Sequence, residues 1–81
     1  MNVCVRLFAA ARQAADCDTL ELELPERATV ADLREFLSKR LPQLADLFGR
    51  AMFAIDQQYA VDADHIFPDA EIACIPPVSG G

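Results

Sequence analysis

Thr19-Leu20-Glu21-Leu22-Glu23-Leu24 puts three leucines on one side of an extended chain and Thr19 with two glutamates on the other. A period of two with that contrast specifies a half-buried strand, one face on a core and one in water. Pro25 closes it, because proline cannot donate to a ladder. Such a strand commits the chain to a sheet with one covered face. Val3, Val5 and Leu7 alternate with Asn2, Cys4 and Arg6 in the same way, which predicts a second strand. Phe8 continues on the Arg6 side, so its ring is expected to face away from the main core. The two strands are separated by about ten residues, too many for a two-residue hairpin. The Ala-rich run from Ala9 to Ala15 favours a short helix there.

A long helix is expected from Thr29. Its hydroxyl can accept from the third helical amide, and Asp32 sits at the positive end of the helix dipole. Val30, Leu33, Leu37 and Leu41 recur at helical spacing. Glu35 and Lys39 form an i,i+4 pair on the outer side, and Pro42 ends the helix. Pro42 can open a further turn over 42–48, with Leu44, Leu47 and Phe48 on one face and Gly49 as the stop. The apolar run 51–56 reads as a strand, Gln57-Gln58 as a turn, and Tyr59-Ala60-Val61 as its return. Asp62-Ala63-Asp64-His65 reads as a polar turn, Ile66-Phe67 as an apolar plug, Pro68-Asp69 as another turn and 71–75 as the last strand. Pro76-Pro77 stops it. The pattern is α+β: a mixed sheet of four to five strands with one main helix packed across it.

With 81 residues, the chain has room for one domain and one core. Residues 1–76 are assigned to that domain and 77–81 to a flexible tail. Hydrophobic residues make up 53% and charged ones 25%, the balance of a folded domain. Thirteen acidic against seven basic residues give a net charge of −6, with no cationic cluster for phosphates, so nucleic acid is not an expected partner. A protein with a basic surface is. Cys4, Cys17 and Cys74 are odd in number and lack metal or redox spacing, which suits free thiols in a reducing compartment. No basic segment followed by an apolar run precedes the first strand, and no membrane-spanning stretch is present; the expected location is cytoplasmic.

Side chains offer little chemistry. Asp62, Asp64, His65 and Asp69 match neither a zinc nor a calcium pattern and read as turn residues, so no metal site is assigned. No cysteine has a neighbouring Lys, Arg or His in sequence to activate it. The ending Pro76-Pro77-Val78-Ser79-Gly80-Gly81 is different: a stiff base followed by small residues. Residues 77–81 can reach about 15 to 18 Å when extended. Gly80 and Gly81 lack a Cβ and can enter a channel too narrow for other residues. A terminal carboxylate becomes an electrophile once adenylated with ATP on a partner enzyme, and a sulfur donor can then attack it.

The opening Leu7-Phe8-Ala9-Ala10-Ala11-Arg12, the helix start Thr29-Val30-Ala31-Asp32-Leu33, the stretch 64–75 and the Pro-Pro-Val-Ser-Gly-Gly ending resemble the small sulfur-carrier subunits of molybdopterin synthase over essentially the whole chain. The resemblance implies a ubiquitin-like β-grasp that is not catalytic alone and holds no permanent cofactor. Gly81 would carry the reactive carboxyl, adenylated with ATP by a ubiquitin-activating-like adenylyltransferase and converted to a thiocarboxylate with sulfur from a donor protein. The sulfur would pass to cyclic pyranopterin monophosphate inside the large catalytic subunit, in a two-plus-two heterotetramer. Gly80, Ser79, Val78 and Pro77 would thread the partner's channel. Phe8, Tyr59 and Ile75 correspond to a docking face, and Arg12 to a recurrent arginine counted with it. Asp56 stands where such carriers often have Asn. A carrier for thiamine thiazole synthesis and a ubiquitin-like protein modifier share the fold and the Gly-Gly end, and stand as alternatives.

Overall fold

Burial of Val3, Val5 and Leu7, against exposure of Asn2, Cys4 and Arg6, makes the first strand, β1 (Asn2–Leu7), one wall of the core. A computed structural model describes residues 1–77. After β1 come α1 (Ala9–Ala15), β2 (Thr19–Glu23), α2 (Val30–Arg40), a 3-10 turn (Pro42–Leu44), α3 (Ala45–Arg50), β3 (Met52–Ile55), β4 (Gln58–Ala60) and β5 (Glu71–Ile75). The element order matches the sequence expectation, with five strands.

The sheet runs β2-β1-β5-β3-β4. β1 pairs antiparallel with β2 and parallel with β5, and β3 pairs antiparallel with β5 and β4. The first and last strands therefore lie side by side at the centre. A parallel pair needs a long crossover, and here the crossover is most of the protein. α2 lies across the sheet with Val30, Leu33 and Leu37 fully buried in one cluster with Val5, Phe48, Phe53, Ile72 and Cys74. Each large side chain so removed from water contributes roughly 1.5–3 kcal/mol. This is the helix-across-sheet arrangement of a β-grasp.

The start of α2 is a reciprocal cap: Asp32 N donates to Thr29 Oγ1 at 3.3 Å, and Thr29 N donates to Asp32 Oδ2 at 3.0 Å. The Glu35–Lys39 pair forms at 3.5 Å. Gly49, expected to stop the next helix, instead lies inside α3, which continues to Arg50. Arg34 supplies the reason. Its Nη1 donates to the Phe48 and Ala51 carbonyls and its Nε to Asp62 Oδ1 at 2.8 Å. A guanidinium from α2 thus caps the end of α3, and a left-handed glycine is not required. The same group lies 4.9 Å from the Phe53 ring centroid, within cation–π range.

Three local expectations are corrected. The hairpin turn is Asp56-Gln57, not Gln57-Gln58, since Ile55 pairs with Gln58 and both turn residues have positive φ, 49° and 71°. Glu71 holds the first of them: Asp56 N donates to Glu71 O at 2.8 Å and Asp56 Oδ1 accepts from Glu71 N at 2.9 Å. Aspartate tolerates this region through such bonds. The return strand ends at Ala60 because Val61 N turns away to Asp64 Oδ2, 2.9 Å distant. Of the Ile66-Phe67 plug only Ile66 is buried, and Phe67 is exposed. Ile66 N donates to Ala28 O at 2.8 Å beside a Thr29–His65 bridge, and extended backbone sends adjacent side chains opposite ways.

Cys74 is fully buried in the core. Burial pushes its thiol from 9.0 up to about 11, with Arg34 offsetting part of the rise. The folded state therefore holds a proton that the unfolded chain releases first. That stabilisation is fully present below about pH 9 and is lost as pH rises toward about 11.

Two outcomes follow for stability. Gln57→Gly relieves the unsupported positive φ and should raise urea-melt stability by about 1 kcal/mol, whereas Asp56→Gly loses the side-chain bond from Glu71 N and shows no such gain. At pH 8, iodoacetamide should leave Cys74 unmodified in the native protein and alkylate it in urea. Replacing Cys74 by Ala should flatten the fall in stability between pH 9 and 11.

Candidate functional site

The sheet face opposite α2 is divided. Towards β2 it carries Glu21, Glu23 and the Arg6–Glu71 pair, 3.3 Å apart. Towards β3 and β4 it is apolar. Register places Met52 beside Ile75, Ala54 beside Ala73, and Tyr59 beside Ala54, and period two puts all of these side chains on the open face. Phe8, Ala54, Gln57, Tyr59, Ala73 and Ile75 line a shallow hollow of about 410 Å³. Phe8, Met52 and Tyr59 remain 41%, 52% and 69% exposed. A contiguous apolar surface of this kind, bordered by charge, is the form of a protein-docking site.

Each wall has a local cause. Phe8 follows β1 in extended conformation and precedes α1; its N–H donates to Cys74 O at 3.3 Å, so the ring leaves on the Arg6 side. Arg6 Cζ stands 5.9 Å from the ring centroid and marks the boundary with the charged half. Ile75 is directed outward because Ile72 and Cys74 take the core side of β5. Ala54 and Ala73 form the floor: their small side chains leave the hollow that the larger residues rim.

Phe8, Tyr59 and Ile75, the three residues named from the sequence, all line the hollow. Arg12 does not. It sits on α1 and pairs with Asp18 at 3.3 Å. Met52, Ala54, Gln57 and Ala73 were not foreseen, and the signal for the two alanines was the period-two alternation of their strands. The apolar hollow lies at the root of the chain's last segment. Burial continues its alternation past β5, with Pro76 buried and Pro77 exposed. The other tail positions, Val78, Ser79, Gly80 and Gly81, lie outside the described residues.

Among the described residues, no other arrangement competes as a chemical site. Asp62 is bonded to Arg34, Asp64 to Val61 N, and His65 Nδ1 donates to Arg27 O at 2.7 Å. Among the described residues no group of three or more His, Cys, Asp or Glu is placed to hold a metal ion. Cys4 is exposed, Cys17 half-buried and Cys74 buried, and the raised Cys74 thiol is a poor nucleophile. The arrangement can bind a protein surface and carry a segment next to it.

Comparison with known proteins agrees with this geometry. The ThiS family model matches residues 5–81. The molybdopterin synthase sulfur carrier subunit of Arabidopsis thaliana is 30% identical over 81 residues, covering 100% of this chain and 84% of the relative. The structure of SAMP1, a small archaeal modifier protein of Haloferax volcanii, superposes with a TM-score of 0.85 at 26% identity over 100% of both chains. Molybdopterin converting factor subunit 1 of Pyrococcus furiosus superposes with a TM-score of 0.83 at 30% identity, covering 96% of this chain and 99% of that one. The chain belongs to the ThiS family and is a homologue of the molybdopterin synthase sulfur carrier subunits.

Proposed function

We propose that this protein is the sulfur carrier of molybdenum cofactor biosynthesis and that the sulfur travels on the Gly81 carboxyl. The observation that carries the reading is the apolar hollow of Phe8, Tyr59 and Ile75 at the root of a Gly-Gly segment, in a chain homologous from end to end to a synthase subunit. The carrier is not catalytic by itself. A partner adenylyltransferase joins the Gly81 carboxylate to the α-phosphorus of ATP and releases pyrophosphate. A donor that delivers sulfur at the sulfide level attacks the acyl carbon, the C–O bond to phosphate breaks, AMP leaves with the electron pair, and a thiocarboxylate remains. Within the large subunit the sulfur passes to cyclic pyranopterin monophosphate, and hydrolysis of the acyl group restores the carboxylate. One carrier delivers one sulfur, so a dithiolene takes two deliveries, in keeping with a two-plus-two assembly.

The hollow seats the large subunit; burial of Phe8, Tyr59, Met52 and Ile75 there supplies the anchor that such interfaces concentrate in a few large side chains. The net charge of −6 favours basic surfaces on the adenylyltransferase and the large subunit alike. Pro77, Val78, Ser79 and Gly80 thread the channel that brings Gly81 to the reacting centre. Three cysteines, free in the structure, suit the cytoplasm as its location.

A protein-modifier reading is favoured by one observation, the likeness to SAMP1. It requires Gly81 to form isopeptide bonds with target lysines. The pterin pathway ranks above it, and above thiazole synthesis, because the plant relative and the Pyrococcus structure both carry molybdopterin names.

Incubation with ATP, a cognate adenylyltransferase and a sulfur source should add the mass difference of one oxygen-to-sulfur exchange, localised by fragmentation to Gly81. An unchanged mass with an enzyme active on its own carrier would overturn the sulfur-carrier reading, while lysine conjugates in lysate that vanish on deleting Gly81 would favour the modifier. For docking, Phe8→Glu and Ile75→Glu should weaken binding to the large subunit by at least about tenfold, roughly 1.4 kcal/mol, with little change in thermal midpoint. Equal loss of folding and binding would mean that these residues serve a second small core instead.

A further inference from the structure

An adenylated terminus reacts with amines as well as with sulfur, so the amines of the carrier itself matter to its chemistry. The chain has a single lysine, Lys39, against six arginines. Among the described residues, structural need accounts for an arginine at position 34, where one guanidinium serves two carbonyls, a carboxylate and an aromatic ring. Arg6, Arg12 and Arg50 make exposed surface pairs with Glu71, Asp18 and Asp46. In such pairs a lysine contributes as much Coulomb attraction, and the pairs themselves contribute little. What lysine would add there is a nucleophilic nitrogen, since a guanidinium keeps its proton at any physiological pH.

The Met1 amino group is the remaining amine. It donates to Leu24 O at 2.6 Å and is half-buried at the end of β1, so an acyl centre has less access to it than to an exposed side chain. Lys39 differs: its side chain is 75% exposed, and its partner among the described residues, Glu35, is itself exposed, at 3.5 Å. It projects from α2, on the opposite side of the sheet from the apolar hollow. A large subunit docked on the hollow would leave it open.

We propose that the carrier's surface is depleted of amine nucleophiles to keep its activated terminus for sulfur, leaving Lys39 as the single acceptor through which one copy can be acylated by another. The proposal rests on the adenylation reading above. In the side reaction the Lys39 Nζ lone pair attacks the Gly81 acyl carbon of a second copy's adenylate. A C–N bond forms, the C–O bond to phosphate breaks, AMP leaves with the electron pair, and the ammonium proton goes to water.

The test is activation with ATP and adenylyltransferase in the absence of a sulfur donor, with pyrophosphate exchange reporting adenylation. Copy-to-copy conjugates should carry one isopeptide link, at Lys39, and be lost in Lys39→Arg. Arg50→Lys should create a second linkage site. Conjugates that persist in Lys39→Arg, or none in the wild type while exchange proceeds, would overturn the proposal. Absence of exchange would instead count against the adenylation reading, and a second measurement then decides the amine question. A neutral-pH N-hydroxysuccinimide acetate pulse should label Lys39 and spare Met1, and equal labelling of Met1 would overturn the assignment of a single acceptor.

Discussion

The parallel pairing of β1 with β5 is the constraint on which the rest of the structure depends. It joins Cys4 to Glu71 and Leu7 to Cys74 in register, so the loop it closes contains nearly every other element. Closing a loop of that length costs conformational entropy before any contact offsets it. The offset comes from the inward sides of the same two strands, where Val5, Leu7, Ile72 and Cys74 meet α2 and Phe53. The pairing also fixes where the last segment starts. Because β5 is flanked by β1 and β3, Ile75 has a fixed position relative to Phe8 and Met52, and the segment beyond Pro77 follows the central strand of the sheet.

Arg34 is the second organising contact, and it shows why some of the fold was illegible in the sequence. Strand alternation, the Thr29 cap and the leucine spacing of α2 are local signals, and each is realised in place. The role of Arg34 is not local: its partners Phe48, Ala51 and Asp62 lie 14, 17 and 28 residues away. On a helix exposed along one side, an arginine reads as solvent-facing. The misplaced helix stop at Gly49 follows from this, since a carbonyl capped from another element needs no glycine. The hairpin turn has the same explanation, because Glu71 supplies the bonds that hold Asp56 at positive φ.

The candidate site divides along similar lines. Phe8 and Ile75 could be read from strand parity alone, because their neighbours claim the core side. Tyr59 came from resemblance, and its place beside Ala54 depends on a one-residue shift of the turn. Had the turn been Gln57-Gln58, Tyr59 would have paired differently, and a shift of one residue exchanges the faces of a strand. Strand alternation puts Ala54 and Ala73 on the open face, but that they form a floor was not legible, because a floor is made by what small side chains leave empty and depends on which residues register brings together.

Placing the apolar hollow at the root of the reactive segment, rather than at a distance from it, has a physical consequence for the proposed chemistry. A short peptide entering a narrow channel alone would lose translational and conformational freedom with few contacts to offset the loss. In the proposed function, docking of the folded domain would move that cost to the apolar hollow. With Phe8, Tyr59 and Ile75 seated, entry of the segment would be an intramolecular event governed by effective concentration. The rigidity of the central strand pair then matters directly, because any play between the hollow and Pro77 would widen the volume searched by Gly81. On the proposed function the sheet would contribute to the reaction without touching the reacting atoms, because holding β5 between β1 and β3 fixes the point from which the terminal segment starts.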